Sequence, residues 1–250
     1  MAKIISIHSF RGGTGKSNTT ANITALLASL GLRVGVVDTD LQSPGIHVLF
    51  GMDEEALTPT LNDYLWGNCE IEDAAKDMTE KLGLSKGRIF LIPGSMKPAH
   101  IARIVNQSYD PGLLSDGFHR LIEKLKLDVL MVDTHPGLNE ETLLSIAVSD
   151  ALVIIMRPDN QDFQGTSVTV DVARKLEIAH MLLVVNKVPT TFDMDDVKTQ
   201  VEQHYNCDVA AVLPHSDEMM ILASSGIFAL RYPNHPMTHR LKQVVVRLTA

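Results

Sequence analysis

From Phe10 to Ser17 the chain reads Phe-Arg-Gly-Gly-Thr-Gly-Lys-Ser, a segment that leaves the surrounding fold little freedom. Lys3–His8, a short run rich in β-branched residues, leads into it, and a helical pattern leaves it at once. Glycines let such a loop curl until successive N–H groups point at one anion. A helix starting near Lys16 adds the positive end of its dipole at the same place. In that arrangement Lys16 reaches the β- and γ-phosphates of a polyphosphate, and the Ser17 hydroxyl ligates Mg2+. A standard loop of this kind has Gly where Phe10 stands, so the simple pattern is not met.

The rest of the chain carries the matching architecture. Ile23, Leu26, Leu27 and Leu30 recur at i, i+3, i+4 and i+7, which predicts one apolar helix face, and Gly31 is placed to end that helix in a left-handed cap. Val34–Val37 is a second buried strand and flows into Asp38-Thr-Asp40. Apolar runs recur at Ile89–Ile92, Val129–Val132, Leu152–Met156 and Met181–Val185, with helical segments such as Phe118–Leu125 and Phe163–Leu176 between them. Continuous apolar strands separated by helices predict an α/β fold with a mainly parallel sheet covered by helices on both faces. Ligands of such sheets bind at the carboxyl ends of the strands. No linker or low-complexity tract divides the chain, so one domain over 1–250 is expected.

Acidic side chains end the strands next to the loop. Asp133 closes an apolar run, which suits a carboxylate holding Mg2+ through water. Asp38 and Asp40 alternate, so both point the same way if strand geometry continues; one can position an attacking water and the other support the metal. Phosphoryl transfer needs little beyond such positioning and charge stabilisation. Asn186, in Val185-Asn-Lys187, has an amide able to read an adenine edge with donor and acceptor. His135 follows Asp133 in the loop where a γ-phosphate would be sensed.

Composition removes several classes. With 22 Lys plus Arg against 30 Asp plus Glu the net charge is −8, a poor match to blanket coating of nucleic acid or anionic membrane. Cys69 and Cys207 are too few for a disulfide framework or a four-thiolate metal site. The N-terminus lacks the pattern of a signal peptide, and the longest apolar runs, such as Ala151–Met156, fall far short of a membrane span. A cytoplasmic protein is expected. His235 and His239 have i, i+4 spacing, but Pro236 fits the first helical position and leaves His235 off the helix face. In the last helical segment, Met237–Thr249, Leu241, Val244, Val245 and Leu248 form an apolar stripe that predicts core packing rather than membrane attachment. Arg240, Lys242 and Arg247, with Arg231 nearby, read either as a solvated face or as a patch for nonspecific DNA.

Taken in order, these motifs resemble the ParA/MinD family of deviant Walker-motif ATPases. Arg11–Ser17 is similar to the family's Lys-Gly-Gly-x-Gly-Lys-[Ser/Thr] at all but the first place, and Val37-Asp-Thr-Asp-Leu-Gln42 to its Asp-x-Asp-x-Gln segment. Asp133-Thr-His-Pro136 is similar to its Walker B motif, and Leu213–Asp217 through Ala223–Gly226 to the late segment that packs beside the base. The resemblance implies an ATP- and Mg2+-dependent homodimer that sandwiches two nucleotides and separates on hydrolysis, positioning a cargo with the help of a protein activator or adaptor. By the match, Arg11, Gly12, Gly13, Thr14, Gly15, Lys16, Ser17 and Asn18 wrap the nucleotide, with Asn186 and Pro214 beside the base. Asp40 positions the water, and Ser17, Asp38 and Asp133 serve the metal. The family's signature lysine, which reaches across to the partner's phosphates, is replaced by Arg11, with Arg157 as the fallback cation. Guanidinium is always charged and forked, so the electrostatic task can survive, but the exchange is not conservative. Nitrogenase-type iron proteins share the loop but need cysteines that the segment after Asp133 lacks. Transport ATPases of the tail-anchor or arsenite type fit less well. Amide ligases that activate a small-molecule carboxylate are the enzymatic alternative, and a regulator that binds ATP with scant hydrolysis is a third reading.

Overall fold

A computed structural model describes residues 2–107 and 109–249. The chain begins with β1 (Lys3–His8), α1 (Lys16–Ser29), β2 (Arg33–Asp38), α2 (Ile46–Leu49) and α3 (Leu61–Leu65). It continues through β3 (Lys76–Asp77), β4 (Arg88–Ile92), α4 (Pro98–Asn106), α5 (Gly112–Leu125) and β5 (Val129–Asp133). Then follow α6 (Glu140–Ala147), β6 (Ala151–Met156), α7 (Asn160–Lys175), β7 (His180–Val188) and α8 (Met194–Tyr205). β8 (Val209–Pro214), α9 (Asp217–Leu222), α10 (Phe228–Arg231) and α11 (Pro236–Thr249) complete it.

Among the described residues the strands form one sheet in the order β3-β4-β2-β5-β1-β6-β7-β8. Only the two-residue β3 runs antiparallel, against β4; every other pairing is parallel. Strand alternation sorts the side chains: Ile5, Ile7, Val34, Val36 and Met131 face α1, whereas Ile4, Val37, Leu130 and Val132 face α5. A third cluster joins β6 and β7 to α7 and α8. The parallel, doubly covered sheet expected from the apolar runs is therefore present. β8 and β3 were not among those runs; β8 extends the sheet beyond β7 and β3 is too short to leave a pattern.

Two helices decide where the site lies. α1 is buried almost all round, including Thr20, Asn22 and Thr24, because α10 and α11 cover the side turned away from the sheet. Asn22 stays satisfied there by accepting from the Ala229 N–H at 2.7 Å and donating to the Asn18 carbonyl at 2.7 Å. The expected stripe holds for Ile23, Leu26 and Leu27, each worth roughly 1.5–3 kcal/mol of burial. Leu30 departs from it and is 65% exposed, since the helix has ended and the chain turns at Gly31, φ 103°. α11 buries Leu241, Val244, Val245 and Leu248 against β8 and α1, as core packing requires. Its cations have partners within the chain: Arg240 donates to the Val212 carbonyl, Lys242 to the Pro233 carbonyl, and Arg247 pairs with Asp208. These bonds leave them less free for a DNA backbone than the sequence suggests. No helix among the described residues is long and apolar enough to cross a membrane.

Candidate functional site

β1 stops at His8, and the loop from Ser9 to Gly15 crosses the carboxyl edge of the sheet before α1 begins. Gly13 has φ 78°, and Gly15, the residue capping α1, has φ 96°, conformations that side-chain-bearing residues rarely adopt. A Cβ on Gly15 would also lie 2.3 Å from Asn186 Nδ2. The Asn186 amide donates to the Thr14 carbonyl at 2.8 Å and accepts from the Lys187 N–H at 2.9 Å. Lys187 Nζ donates to the Gly13 carbonyl at 2.8 Å. Asn186, expected to read a base, braces the loop through both ends of its amide and also borders the larger cavity described below. Lys187 shares that work, which the Val-Asn-Lys motif did not disclose.

Beneath the loop lies a buried charge pair. Lys16, 6% exposed, donates from Nζ to Asp133 Oδ1 at 2.9 Å, and Thr20 Oγ1 donates to the same oxygen at 2.8 Å. Asp133 Oδ2 is buried and has no hydrogen-bond partner among the described residues. The cleft above is lined by Gly12, Gly13, Gly15, Lys16 and Ser17, and Lys16 ties it to Asp133. A hydroxyl and a carboxylate oxygen of the kind a Mg2+ ion with its waters takes are thus both held by this one loop and the strand end beneath it. Thr20 escaped the sequence reading, although its place one turn after Lys16 is the available signal.

Asp38 pairs in register with Asp133 across β2 and β5. It does not continue into a strand at Asp40. Asp38 Oδ1 accepts from the Asp40 N–H at 3.1 Å, and Oδ2 accepts from Gly45 and Ile46 at 3.1 and 3.4 Å. This corrects the expected alternation: the backbone turns at Thr39, and Asp38 anchors the following loop with both oxygens already occupied. Burial, and then the charge of Asp133, push its carboxyl well above the ordinary carboxylate range. Asp40 behaves oppositely. Burial would raise it, but the hydrogen bond from His135 at 2.7 Å and the charge of Lys16 outweigh burial and hold it below the usual value.

Phe10 and Arg11 are moored to a distant element. The Phe10 ring packs over Gly165 of α7, where an added Cβ would sit 2.0 Å from it, so a glycine notch accommodates the residue that breaks the standard loop pattern. Arg11 contacts both Asp159 oxygens at 2.9 and 3.1 Å, pairs with Asp162 at 2.9 Å and donates to Gln161. Arg157 bridges the same two aspartates at 3.2 and 3.3 Å. In the single chain both candidate trans cations are therefore held within their own chain at the start of α7, and Arg157 is a network member rather than a free surface arginine.

Two adjoining cavities meet at the loop. One, about 360 Å³, is lined by Gly12, Gly13, Gly15, Lys16, Ser17 and Asp40 among others. The second, about 440 Å³, is lined by Asn18, Asn186, Leu213, Pro214, Met219 and Met220 among others. Gly15, Asn18 and Lys187 border both. A polar cleft that opens into a more apolar cavity across a helix N-terminus suits a nucleotide, phosphates in the first and base in the second.

Residues 2–182 match a family model described as an AAA domain. An uncharacterized ATP-binding protein of Methanocaldococcus jannaschii is 25% identical over 249 residues, covering 99% of this chain and 88% of that protein. The septum site-determining protein MinD of Synechocystis is 25% identical over 234 residues, covering 90% and 81%. The structure of MinD from Pyrococcus horikoshii, complexed with Mg-ADP, superposes with a TM-score of 0.82 at 24% identity over 99% of this chain and 96% of that one. The two relatives of stated role are septum site-determining proteins, and the amide-ligase alternative is not favoured. The glycine cradle, the buried lysine–aspartate pair and the extent of the family match lead to one conclusion: the chain belongs to this AAA-domain family, within the ParA/MinD group of P-loop ATPases.

Proposed function

We propose that residues 1–250 act as one cytoplasmic ATPase domain, a switch that pairs with a second copy when ATP is bound and separates after hydrolysis. The observation that carries this reading is the buried Lys16–Asp133 pair, its Asp133 Oδ2 without a partner among the described residues, at a cleft lined by Gly12, Gly13 and Gly15. Backbone amides of residues 12–17 hold the phosphates, and Lys16, freed from part of its hold on Asp133, turns its charge to them. Ser17 and Asp133 hold magnesium, which when bound neutralises charge on the phosphate oxygens. Asp40 takes the proton side of the attacking water, and the cavity lined by Asn18, Pro214 and Met220 takes the base.

Arg11 is the cation for the partner's phosphates in this scheme. Its release from Asp159 and Asp162 is the step that couples nucleotide to pairing, since carboxylates and phosphates compete for one guanidinium. The output is the positioning or partitioning of a cargo, with hydrolysis slow until a protein activator or adaptor docks. The septum site-determining role of the Synechocystis relative supports that assignment. Light scattering behind a sizing column tests it. Monomer mass is expected without nucleotide and with ADP, and doubled mass with ATP in the Asp40→Ala variant. Adding Arg11→Ala to that variant returns the monomer. Unchanged mass in every condition overturns the switch.

A further inference from the structure

In phosphoryl transfer to water, the nucleophile must be held in line by an acceptor fixed in place before it arrives. Asp40 is distributed unevenly between its two oxygens. Oδ1 accepts from the Ser43 N–H at 3.2 Å, the Ser43 hydroxyl at 3.0 Å and His135 Nδ1 at 2.7 Å. Oδ2 receives no hydrogen bond from the described residues, and Asp40 borders the phosphate cleft. An ionised carboxylate only accepts, so His135 carries a proton on Nδ1 and donates it. Three donors crowding one oxygen fix the rotation of the carboxylate and present the other oxygen as the acceptor.

The loop that carries His135 is itself anchored. The Thr134 hydroxyl donates to the Ile7 carbonyl at 3.1 Å, and the Gly137 N–H donates to the Ser9 carbonyl at 3.1 Å. The His135 carbonyl accepts from Thr142 Oγ1 at 3.2 Å, and Thr142 is in turn held by Asn139 at the N-terminus of α6. His135 is therefore fixed to β1, to the phosphate loop and to α6 before it touches Asp40. We infer that His135 is a positioning residue for ATP hydrolysis: its Nδ1–H, with Ser43, pins Oδ1 of Asp40 so that Oδ2 faces and orients the attacking water. This rests on the reading of Asp40 as the water-positioning carboxylate and adds the residue that sets its rotation.

The geometry supplies a discriminating substitution. Asparagine Nδ2 is the same number of bonds from the backbone as histidine Nδ1, whereas glutamine Nε2 is one bond further out. Single-turnover hydrolysis of ATP by the full chain is measured beside ATP affinity for His135→Ala, His135→Gln and His135→Asn. We expect about a tenfold to hundredfold loss of rate for Ala and Gln, the range spanned by a hydrogen bond to a charged group, with affinity unchanged within about twofold. His135→Asn restores the rate to within about threefold of the natural chain. A rate unaffected in His135→Ala overturns the inference, as does equal loss in all three variants, or loss of affinity in step with rate. If the natural chain binds ATP without hydrolysing it, the hydrolytic switch itself falls and takes this inference with it, a result readily told apart from the others.

Discussion

The phosphate cleft and the base cavity share Gly15, Asn18 and Lys187 yet are made of different material. The cleft sits over the ends of β1, β2 and β5 near the middle of the sheet, and its walls are backbone amides and buried charges. The cavity lies beside the edge strand β8, walled by Leu213, Met219, Met220, Met237 and Leu241 from β8, α9 and α11. In the cleft, moving one group leaves a buried charge such as that of Asp133 without its counter-charge. In the cavity, moving one group leaves a shallower apolar wall that neighbouring methionines can refill. The two halves of one ligand site should therefore respond to mutation on different scales.

The largest response belongs to Lys16. Lys16→Ala removes the phosphate cation and also leaves the Asp133 carboxylate, 1% exposed, with Thr20 as its one remaining side-chain donor among the described residues. Loss of the phosphate cation should lower hydrolysis at least about a thousandfold, and breaking a buried pair on one side, which costs about 3–5 kcal/mol, should lower the melting temperature. The double variant Lys16→Ala with Asp133→Asn separates the two effects. Thermal unfolding should recover in it while hydrolysis stays lost. A Lys16→Ala chain of unchanged stability would mean that the cleft tolerates charge imbalance as the cavity tolerates volume.

His8 gives the next largest effect, on stability alone. Its buried ring has Nδ1 2.8 Å from Thr134 Oγ1, and Nε2 has no hydrogen-bond partner among the described residues. Burial first, and then the charges of Lys16 and His135, lower its pKa to about 3. A histidine depressed in the folded state leaves stability intact above the unfolded value near 6.5, and that stability is lost as pH falls toward 3, because only the unfolded chain takes up the proton. From pH 7 to pH 5 this amounts to about 2 kcal/mol. Asp38, raised in the folded state, has the opposite sign and works against the trend. His8→Asn keeps a donor toward Thr134 and removes the titration, with Asp38 common to both chains. Urea unfolding at the two pH values should show the smaller acid loss in the variant; equal slopes would place no burden of neutrality on His8.

The cleft and the cavity also differ in how far a linear reading reaches them. Residues 10–17 could be placed because the glycine conformations and the following helix are local properties, and the Asp38–Asp133 neighbourhood follows from two parallel apolar runs with acids at their ends. What escaped depends on contacts between remote segments. Arg11 and Asp159 are 148 residues apart, and nothing near either announces the other. His135 was visible in its loop, but Asp40 lies 95 residues away, so its role as a donor to that carboxylate could not be read from position. Asn186 has the chemistry to read a base and borders the base cavity, but its 2.8 Å bond to Thr14, 172 residues away, could not be read from its motif. Leu30 was expected within the apolar face because periodicity alone does not mark where α1 runs out of cover.

Met220 provides the smallest effect and the most direct contrast. It lines the base cavity yet is 64% exposed, so shortening it costs the fold little. A thioether against an aromatic base contributes about 0.3–1.5 kcal/mol, and Met220→Ala should weaken ATP binding by up to about tenfold. Because the contact is made equally before and during the reaction, KM should rise with kcat unchanged. Inorganic triphosphate has no base and should bind the variant as it binds the natural chain. If Met220→Ala weakened triphosphate equally, α9 would be supporting the cleft rather than the cavity, and the boundary drawn between the two at Asn18 and Lys187 would have to move.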